Sequence, residues 1–218
     1  MKHKFYRIVV KRSLDIFFSF IAIVLLIPLF LIIFIWVKID SKGPAFFVQE
    51  RLSLHGKTFK MIKFRTMCVG AEKKGTGVYS FDGDPRITRA GKILRKTSLD
   101  ELPQLFNIFI GDMSFIGPRP VLTYHPCKYE EYSENEKQVF SVRPGITGWA
   151  QVNGRNTVDW VQRFSLNQWY VENISFFLDL KIFFKTIAQV FSRKETVIQE
   201  ETAKEFKKNR QNKDIDGE

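Results

Sequence analysis

Cysteine is nearly missing from this chain: Cys68 and Cys127 are the only two in 218 residues. They match neither a metal-ligand spacing nor a disulfide framework. A cysteine-stapled secreted fold is therefore excluded, and two reduced thiols are expected. Histidine is as sparse: His3, His55 and His125 are scattered, which argues against a zinc centre. No internal repeat occurs, and no nucleic-acid-binding motif is present. Acid is also short, with 23 Asp and Glu against 34 Lys and Arg, a net charge of +11. That balance points to an anionic partner: nucleic acid, a membrane surface or a phosphorylated substrate. A merely solvated basic surface is the plain alternative.

Charge is wholly absent from Ile16 to Val37, IFFSFIAIVLLIPLFLIIFIWV. As one helix these residues measure about 33 Å, against a hydrocarbon slab of about 30 Å. No small-x-small cleavage pattern follows, so a removable leader is not expected. Two membrane arrangements compete. In a single spanning helix, Lys2, Lys4, Arg7, Lys11 and Arg12 hold the N-terminus inside and residues 40 to 218 lie outside. In the second, Pro28 has no N–H for the carbonyl of Val24 and crowds that turn, so the helix kinks. Two arms of about 15–18 Å then enter and leave by one leaflet. Proline also occurs in spanning helices, so composition leaves both open.

Beyond residue 40 the chain reads as globular. Ala45 to Arg51 and Thr58 to Met67 have strand character around a turn at His55-Gly56. Lys63 and Arg65, two apart on the second strand, lie on one face at about 7 Å, suited to a two-pronged phosphate contact or to plain solvation. Residues 69 to 86 are loop-like, and Ile87 to Lys96 form a basic helical segment. Gly117-Pro118-Arg119-Pro120 is a rigid turn that fixes one arginine. Residues 129 to 140 predict an acidic amphipathic helix, and Thr147 to Arg155 a long glycine-containing loop rich in amides and arginines. Phe176, Leu180, Phe183, Ile187 and Val190 recur at helical spacing, for a core helix or one lying at an interface. After about Ile198 the chain is highly charged, and residues 199 to 218 are expected to be a disordered tail.

In this basic setting Thr97 to Asn107, TSLDELPQLFN, sets Asp100 beside Glu101. Ser98-x-x-Glu101 matches a capping box, but Pro103 then falls fifth in the helix and orphans the carbonyl of Leu99. With Asp100 as N-cap, Pro103 falls at the third position, where its missing N–H costs nothing. The carboxylates then sit at a positive helix end beside Arg95 and Arg86. A phosphate would settle there too. Phosphate and carboxylates repel unless a cation intervenes, and magnesium takes one or two carboxylates with phosphate oxygens. An Asp can also attack phosphorus itself. The stretch therefore reads as phosphoryl chemistry with an Asp nucleophile, a metal and a cage of arginines.

KRSLDI (11–16), KFRTM (63–67), DPRITRAGKILRKTSLDELPQLFN (84–107), GDMSFIGPRP (111–120) and RPGITGWAQVNGR (143–155) together resemble the small monotopic kind of bacterial polyprenyl-phosphate phosphoglycosyl transferase. The resemblance runs from about residue 5 to 195. It implies transfer of a sugar-1-phosphate from a UDP-sugar to undecaprenyl phosphate with release of UMP, the first membrane step of glycan assembly. It places the nucleophile on Asp100 and metal or proton assistance on Glu101, with Mg²⁺ as cofactor. It puts phosphate-binding roles on Arg95 and Arg119 and, by extension, on Lys63, Arg65, Arg143 and Arg155. The implied fold is α+β and mainly helical: a re-entrant membrane helix broken at Pro28 (residues 1–40), then a compact cytosolic catalytic domain (41–198) with a small β-hairpin and interfacial amphipathic helices. Relatives resemble Ser-Pro at the break, whereas this chain has Ile27, which lacks a hydroxyl for a freed carbonyl. The implied location is the cytoplasmic face of the bacterial inner membrane, among its lipids, with no nucleic-acid partner. Nucleotide sugars are cytosolic, so a hairpin keeps Asp100 on their side. Two rivals remain: direct attack by the lipid phosphate with Asp100 only a metal ligand, and a non-enzymatic membrane-anchored basic protein. The sugar, the pathway and the oligomeric state are open.

Overall fold

The most apolar part of the chain forms its longest helix. In the computed structural model of the protein, which describes residues 5–73, 80, 83–124, 126–154 and 160–191, a π-helical turn at Tyr6–Val10 leads into α1, Lys11–Asp40. The helical run is not interrupted at Pro28, so the expected division into two separate arms is not seen. Proline removes one rung of the hydrogen-bond ladder, and the turns on either side keep theirs. Only 11% of the most apolar window of this helix is buried inside the protein.

The buried side of α1 is docked along its whole length onto one body. Near its start, Arg12 donates to the carbonyls of Ile108 (2.6 Å) and Phe109 (2.8 Å). Asp15 accepts from the Ser114 hydroxyl and the Phe115 N–H, both at 3.1 Å. Midway, Ile23, Leu26 and Phe30 pack on Leu105 and Ile108. Near its end, Ile33 and Val37 are buried against Phe64 and Leu94, each contributing about 2 kcal/mol by burial. Asp40 accepts the Ala90 N–H at 3.0 Å. Both ends of the apolar helix thus meet the same globular part.

That part is mostly helical. Strands β1 (Phe46–Leu52) and β2 (Thr58–Phe64) pair antiparallel, Phe47 opposite Lys63 and Arg51 opposite Phe59. His55 adopts φ 55° in the connection and Gly56 φ 73°, as the turn signal implies. Helix α2 (Arg89–Thr97) is capped by Thr88, whose hydroxyl accepts from Gly91 N–H. A Cβ at Gly91 would lie 2.0 Å from the Thr66 carbonyl oxygen, so only glycine lets α2 approach the chain after β2. Helix α3 (Gln104–Ile110) follows, then β3 (Ser114–Ile116). The expected helix over 129–140 is instead a three-ten turn, a short α4 (Glu134–Lys137) and a second three-ten turn. Strand β4 (Gly145–Thr147) pairs parallel with β3, a three-residue pairing too short to show in sequence. The expected loop from Thr147 holds α5 (Trp149–Gly154), and α6 (Trp160–Asn173) and α7 (Phe176–Phe191) complete the described chain. The expected tail, 199 to 218, lies outside the described residues.

The interior divides into packed clusters. One is formed by Leu52, Val121, Tyr132, Val139, Phe140 and Phe164. Another joins Ile116, Val142, Val152, Tyr170, Ile174 and Ile182. Exposed phenylalanines instead gather on α1 (Phe17, Phe18, Phe20), α3 (Phe106, Phe109) and α7 (Phe176, Phe177, Phe183, Phe184). Phe20 contacts Phe109 across α1 and α3 with ring centroids 6.1 Å apart. Such a concentration of exposed apolar surface marks a membrane or partner face.

Candidate active site

The acidic pair lies on a tight turn between two helices. α2 stops at Thr97 because Ser98 takes the left-handed conformation (φ 57°, ψ 17°). Leu99–Glu101 form a three-ten turn, and Pro103, already at φ −62°, opens α3. Leu99 and Leu102 pack into the Ile33–Phe64–Leu94 cluster and pin the turn from below. The expectation that Asp100 caps the following helix is corrected: that turn and α3 have no side-chain cap. The Ser98–Glu101 capping box is not formed either. Glu101 accepts instead from Lys63 Nζ at 2.6 Å.

Around the pair the charges are unequally shared. Burial raises Asp100 from the ordinary Asp range to about 6, against the pull of Lys63, and the Glu101 charge pushes the same way. Arg95 also faces Asp100. Burial would raise Glu101 as well, but Lys63, Arg119 and Arg51 outweigh it and hold Glu101 below its usual range. At neutral pH both carboxylates are ionised, and Asp100 is the more basic. Among the described residues no side chain hydrogen-bonds to Asp100. Two carboxylates with one lysine already on Glu101 fit a magnesium ion, which needs only one or two protein carboxylates beside phosphate and water. No cluster of three or more His, Cys, Asp or Glu occurs among the described residues.

Arg95 is held in place from two sides, Nε to the Thr66 hydroxyl and one terminal nitrogen to the Ser80 hydroxyl, both at 2.8 Å. Arg119 makes no hydrogen bond or ion pair among the described residues. Its backbone is tightly seated. Gly117 N–H donates to Thr147 (2.9 Å) and Gly145 N–H to Pro118 (2.8 Å). A Cβ at Gly148 would lie 1.9 Å from the Gly117 oxygen. The glycines of the two proline-glycine motifs therefore let two backbones touch and fix Arg119 between Pro118 and Pro120.

Other expected members are placed elsewhere. Arg65 lies past the end of β2 and is buried; it donates to the carbonyls of Lys42 (2.6 Å) and Ser41 (2.8 Å). It closes the C-terminal end of α1, so the two-pronged Lys63–Arg65 contact does not form. Arg143 donates to the Gly111 carbonyl at 2.7 Å and, with Arg12, satisfies the negative end of α3. Arg86 is buried in an ion pair with Asp84 at 2.7 Å rather than at the dyad. Its hydrogen bonds draw Asp84 below its usual range. Arg155 lies outside the described residues. Two residues escaped the sequence reading: Arg51 and Arg163, both near Arg119. The only hint was that Arg51 shares the inward face of the hairpin with Lys63 through the alternation of Phe47, Gln49 and Arg51.

A family model described as bacterial sugar transferase matches residues 6–193. The chain belongs to the bacterial sugar transferase family. Among its relatives, the uncharacterized sugar transferase EpsL of Bacillus subtilis is 48% identical over 165 residues, covering 75% of this chain and 77% of EpsL. The exopolysaccharide production protein ExoY of Sinorhizobium fredii is 40% identical over 194 residues, 83% and 84% of the two chains. The undecaprenyl-phosphate galactose phosphotransferase of Salmonella typhimurium is 38% identical over 198 residues; these are 84% of this transferase but only 40% of that protein. The matched range includes Asp100, Glu101, Lys63, Arg95 and Arg119.

Proposed function

We propose that the transferase moves a sugar-1-phosphate from a UDP-sugar to undecaprenyl phosphate through a covalent phosphosugar-aspartate. An Asp100 oxygen attacks the β-phosphorus of the UDP-sugar. The bond from that phosphorus to the bridging oxygen breaks, and UMP leaves with the electron pair. A lipid phosphate oxygen then attacks the same phosphorus and returns Asp100 to its carboxylate. The observation that carries this reading is a carboxylate that takes no side-chain hydrogen bond among the described residues, is more basic than an ordinary Asp and faces Lys63 and Arg95, with Arg119 on the neighbouring Glu101. Raised basicity favours nucleophilic attack while leaving the group ionised at neutral pH. A Mg²⁺ ion held by Asp100 and Glu101 would neutralise charge on the pyrophosphate. The acceptor agrees with the name of the Salmonella relative, and acceptor and donor class both agree with that of the UDP-glucose:undecaprenyl-phosphate glucose-1-phosphate transferase of Xanthomonas campestris, 41% identical over 194 residues.

The membrane arrangement we infer is supported by the docking of α1. A helix of 30 residues is about 45 Å long, and a globular body attached at Arg12 and again at Asp40 holds both ends on one side. The apolar outer surface of α1, continued by Phe109 of α3 and the phenylalanines of α7, then enters one leaflet. This favours a monotopic protein at the cytoplasmic face, where UDP-sugars are available, over a spanning helix. The test is to incubate enzyme, Mg²⁺ and UDP-sugar without lipid and weigh the intact protein. One phosphosugar per chain, lost in Asp100→Asn, is expected. Full turnover with no adduct at Asp100 would assign the reaction to direct attack by the lipid.

A further inference from the structure

Arg95 and Arg119 both belong to the cage of arginines, yet only one has its side chain anchored. Arg95 donates to two hydroxyls, those of Thr66 and Ser80. Glycine contacts and two prolines lock the backbone of Arg119, but they leave the rotatable bonds of its side chain unsettled. Ordering a loose arginine on each substrate weakens binding. Beside Arg119 lies a small cavity walled mainly by apolar side chains such as Phe140 and Phe164. Its polar lining residues are Ser53, Arg119 and Asn167. It has room for about one water molecule.

Asn167 comes from α6 and belongs to no motif that pointed to the site. Its helix is firmly seated, with Phe164 packed on Leu52 and Val121 and the Tyr170 hydroxyl bonded to Asp179. Asn167 is only 3% exposed, and its Oδ1 is buried with no hydrogen-bond partner. An amide oxygen in such a wall costs stability unless a donor reaches it. The Ser53 hydroxyl is spent on the Asp112 carbonyl, at 2.6 Å. Among the described residues lining the cavity, the side-chain donor that remains is Arg119. We infer that Asn167 is a positioning residue, whose Oδ1 orients the Arg119 guanidinium through one water seated in the cavity. The Ser53 oxygen offers that water a further partner, and a bridging water needs two to four. Arg163, one helical turn before Asn167, lies near Arg119, as this reach requires. The amide is neutral. It orients the guanidinium without cancelling its charge, as a carboxylate would, so the cation stays available to phosphate. This step rests on the proposed function and takes Arg119 as one of its phosphate contacts.

The experiment uses the full chain in nanodiscs with Mg²⁺ and compares binding of UDP with binding of uridine. UDP carries phosphates and uridine none, so the ratio of affinities reads the phosphate contact and ignores a general loss of fold. Arg119→Gln is expected to weaken UDP about tenfold, with uridine changed less than about twofold. Asn167→Leu nearly keeps the volume and removes the amide. It is expected to weaken UDP about three- to tenfold, again with little change for uridine. Added to Arg119→Gln, it is expected to cost less than about twofold more, because the arginine it positions is gone. Asn167→Ala is carried through the same series, in case leucine does not fit. Unchanged UDP affinity in the Asn167 variants, or a loss that multiplies fully with that of Arg119→Gln, overturns this inference and leaves the proposed function standing. So does an Arg119→Gln variant that binds UDP normally. Wild-type protein that binds UDP no more tightly than uridine removes the proposed function, and this inference with it.

Discussion

Asp179 accepts from the Tyr6 hydroxyl (2.7 Å), Lys11 Nζ (2.5 Å) and the Tyr170 hydroxyl (2.6 Å). Asp100 accepts from no side chain among the described residues. Both carboxylates sit in poorly solvated places beside cations, yet they are completed differently. At Asp179, itself on α7, the partners come from the start of the chain and from α6, and occupy its oxygens. The cluster is a latch that ties the N-terminal end of α1 to α7. Burial and the nearby Asp179 charge drive Tyr170 well above its usual range, so its proton stays in the latch. At Asp100 the surrounding charges are placed at a distance, and its oxygens remain open to phosphorus or a metal. Saturated hydrogen bonding makes a carboxylate structural; withheld hydrogen bonding makes it reactive.

Removing each carboxylate in turn is the strongest way to break this contrast. Asp100→Asn is expected to lower turnover by roughly 10³-fold or more, the loss of a covalent nucleophile, read as UMP release. Asp179→Ala is expected to leave the Tyr6 hydroxyl and Lys11 without this partner, and Tyr170 with only its long bond to the Ile116 carbonyl, and to cost about 3–5 kcal/mol of stability, read by denaturant titration in micelles. A normal midpoint for Asp179→Ala would show that the latch holds nothing.

A pH series sharpens the same comparison. The nucleophile must be ionised, so adduct formation by the wild type should fall about tenfold per unit below pH 6. Lys63→Met removes the cation nearest the pair and should move that limb to higher pH. A limb that stays in place would mean that Lys63 does not act on Asp100. Stability should move the other way. Because the folded protein raises Asp100, its contribution is complete below the unfolded value and is lost as pH rises through about 6. Asp100→Asn should therefore melt higher than wild type at pH 7.5, by about 1–2 kcal/mol after allowance for solvent screening. It should melt no higher at pH 4. The smallest effect concerns Arg143→Lys, expected to change UMP release less than about threefold, because Arg143 holds the Gly111 carbonyl rather than phosphate. A loss as large as that of Asp100→Asn would return Arg143 to the site.

Local signals in the chain were read correctly where one interaction decided the outcome. The His55-Gly56 turn, the basic helix before Ser98 and the rigid seat of Arg119 needed only turn chemistry, helical spacing and two prolines. The site was harder. Lys63 and Arg65 alternate like partners, but β2 ends at Phe64 and Arg65 turns to the carbonyls of Ser41 and Lys42. Arg143 sits in a ligand-like motif, yet the nearest unsatisfied acceptor is a helix end. Arg51 and Arg163 are 112 residues apart in number and come near Arg119 only when β1 and α6 fold against the 117–122 segment.

The order of residues was enough to set an apolar helix of membrane length, a basic chain, and an Asp-Glu pair followed by a proline, because hydropathy, charge and proline geometry act within a few residues. Which cations face which carboxylate, and that both ends of α1 rest on one body, came only from the tertiary structure. Charge coupling and docking depend on distance in space, and distances between remote segments exist only once the chain has packed.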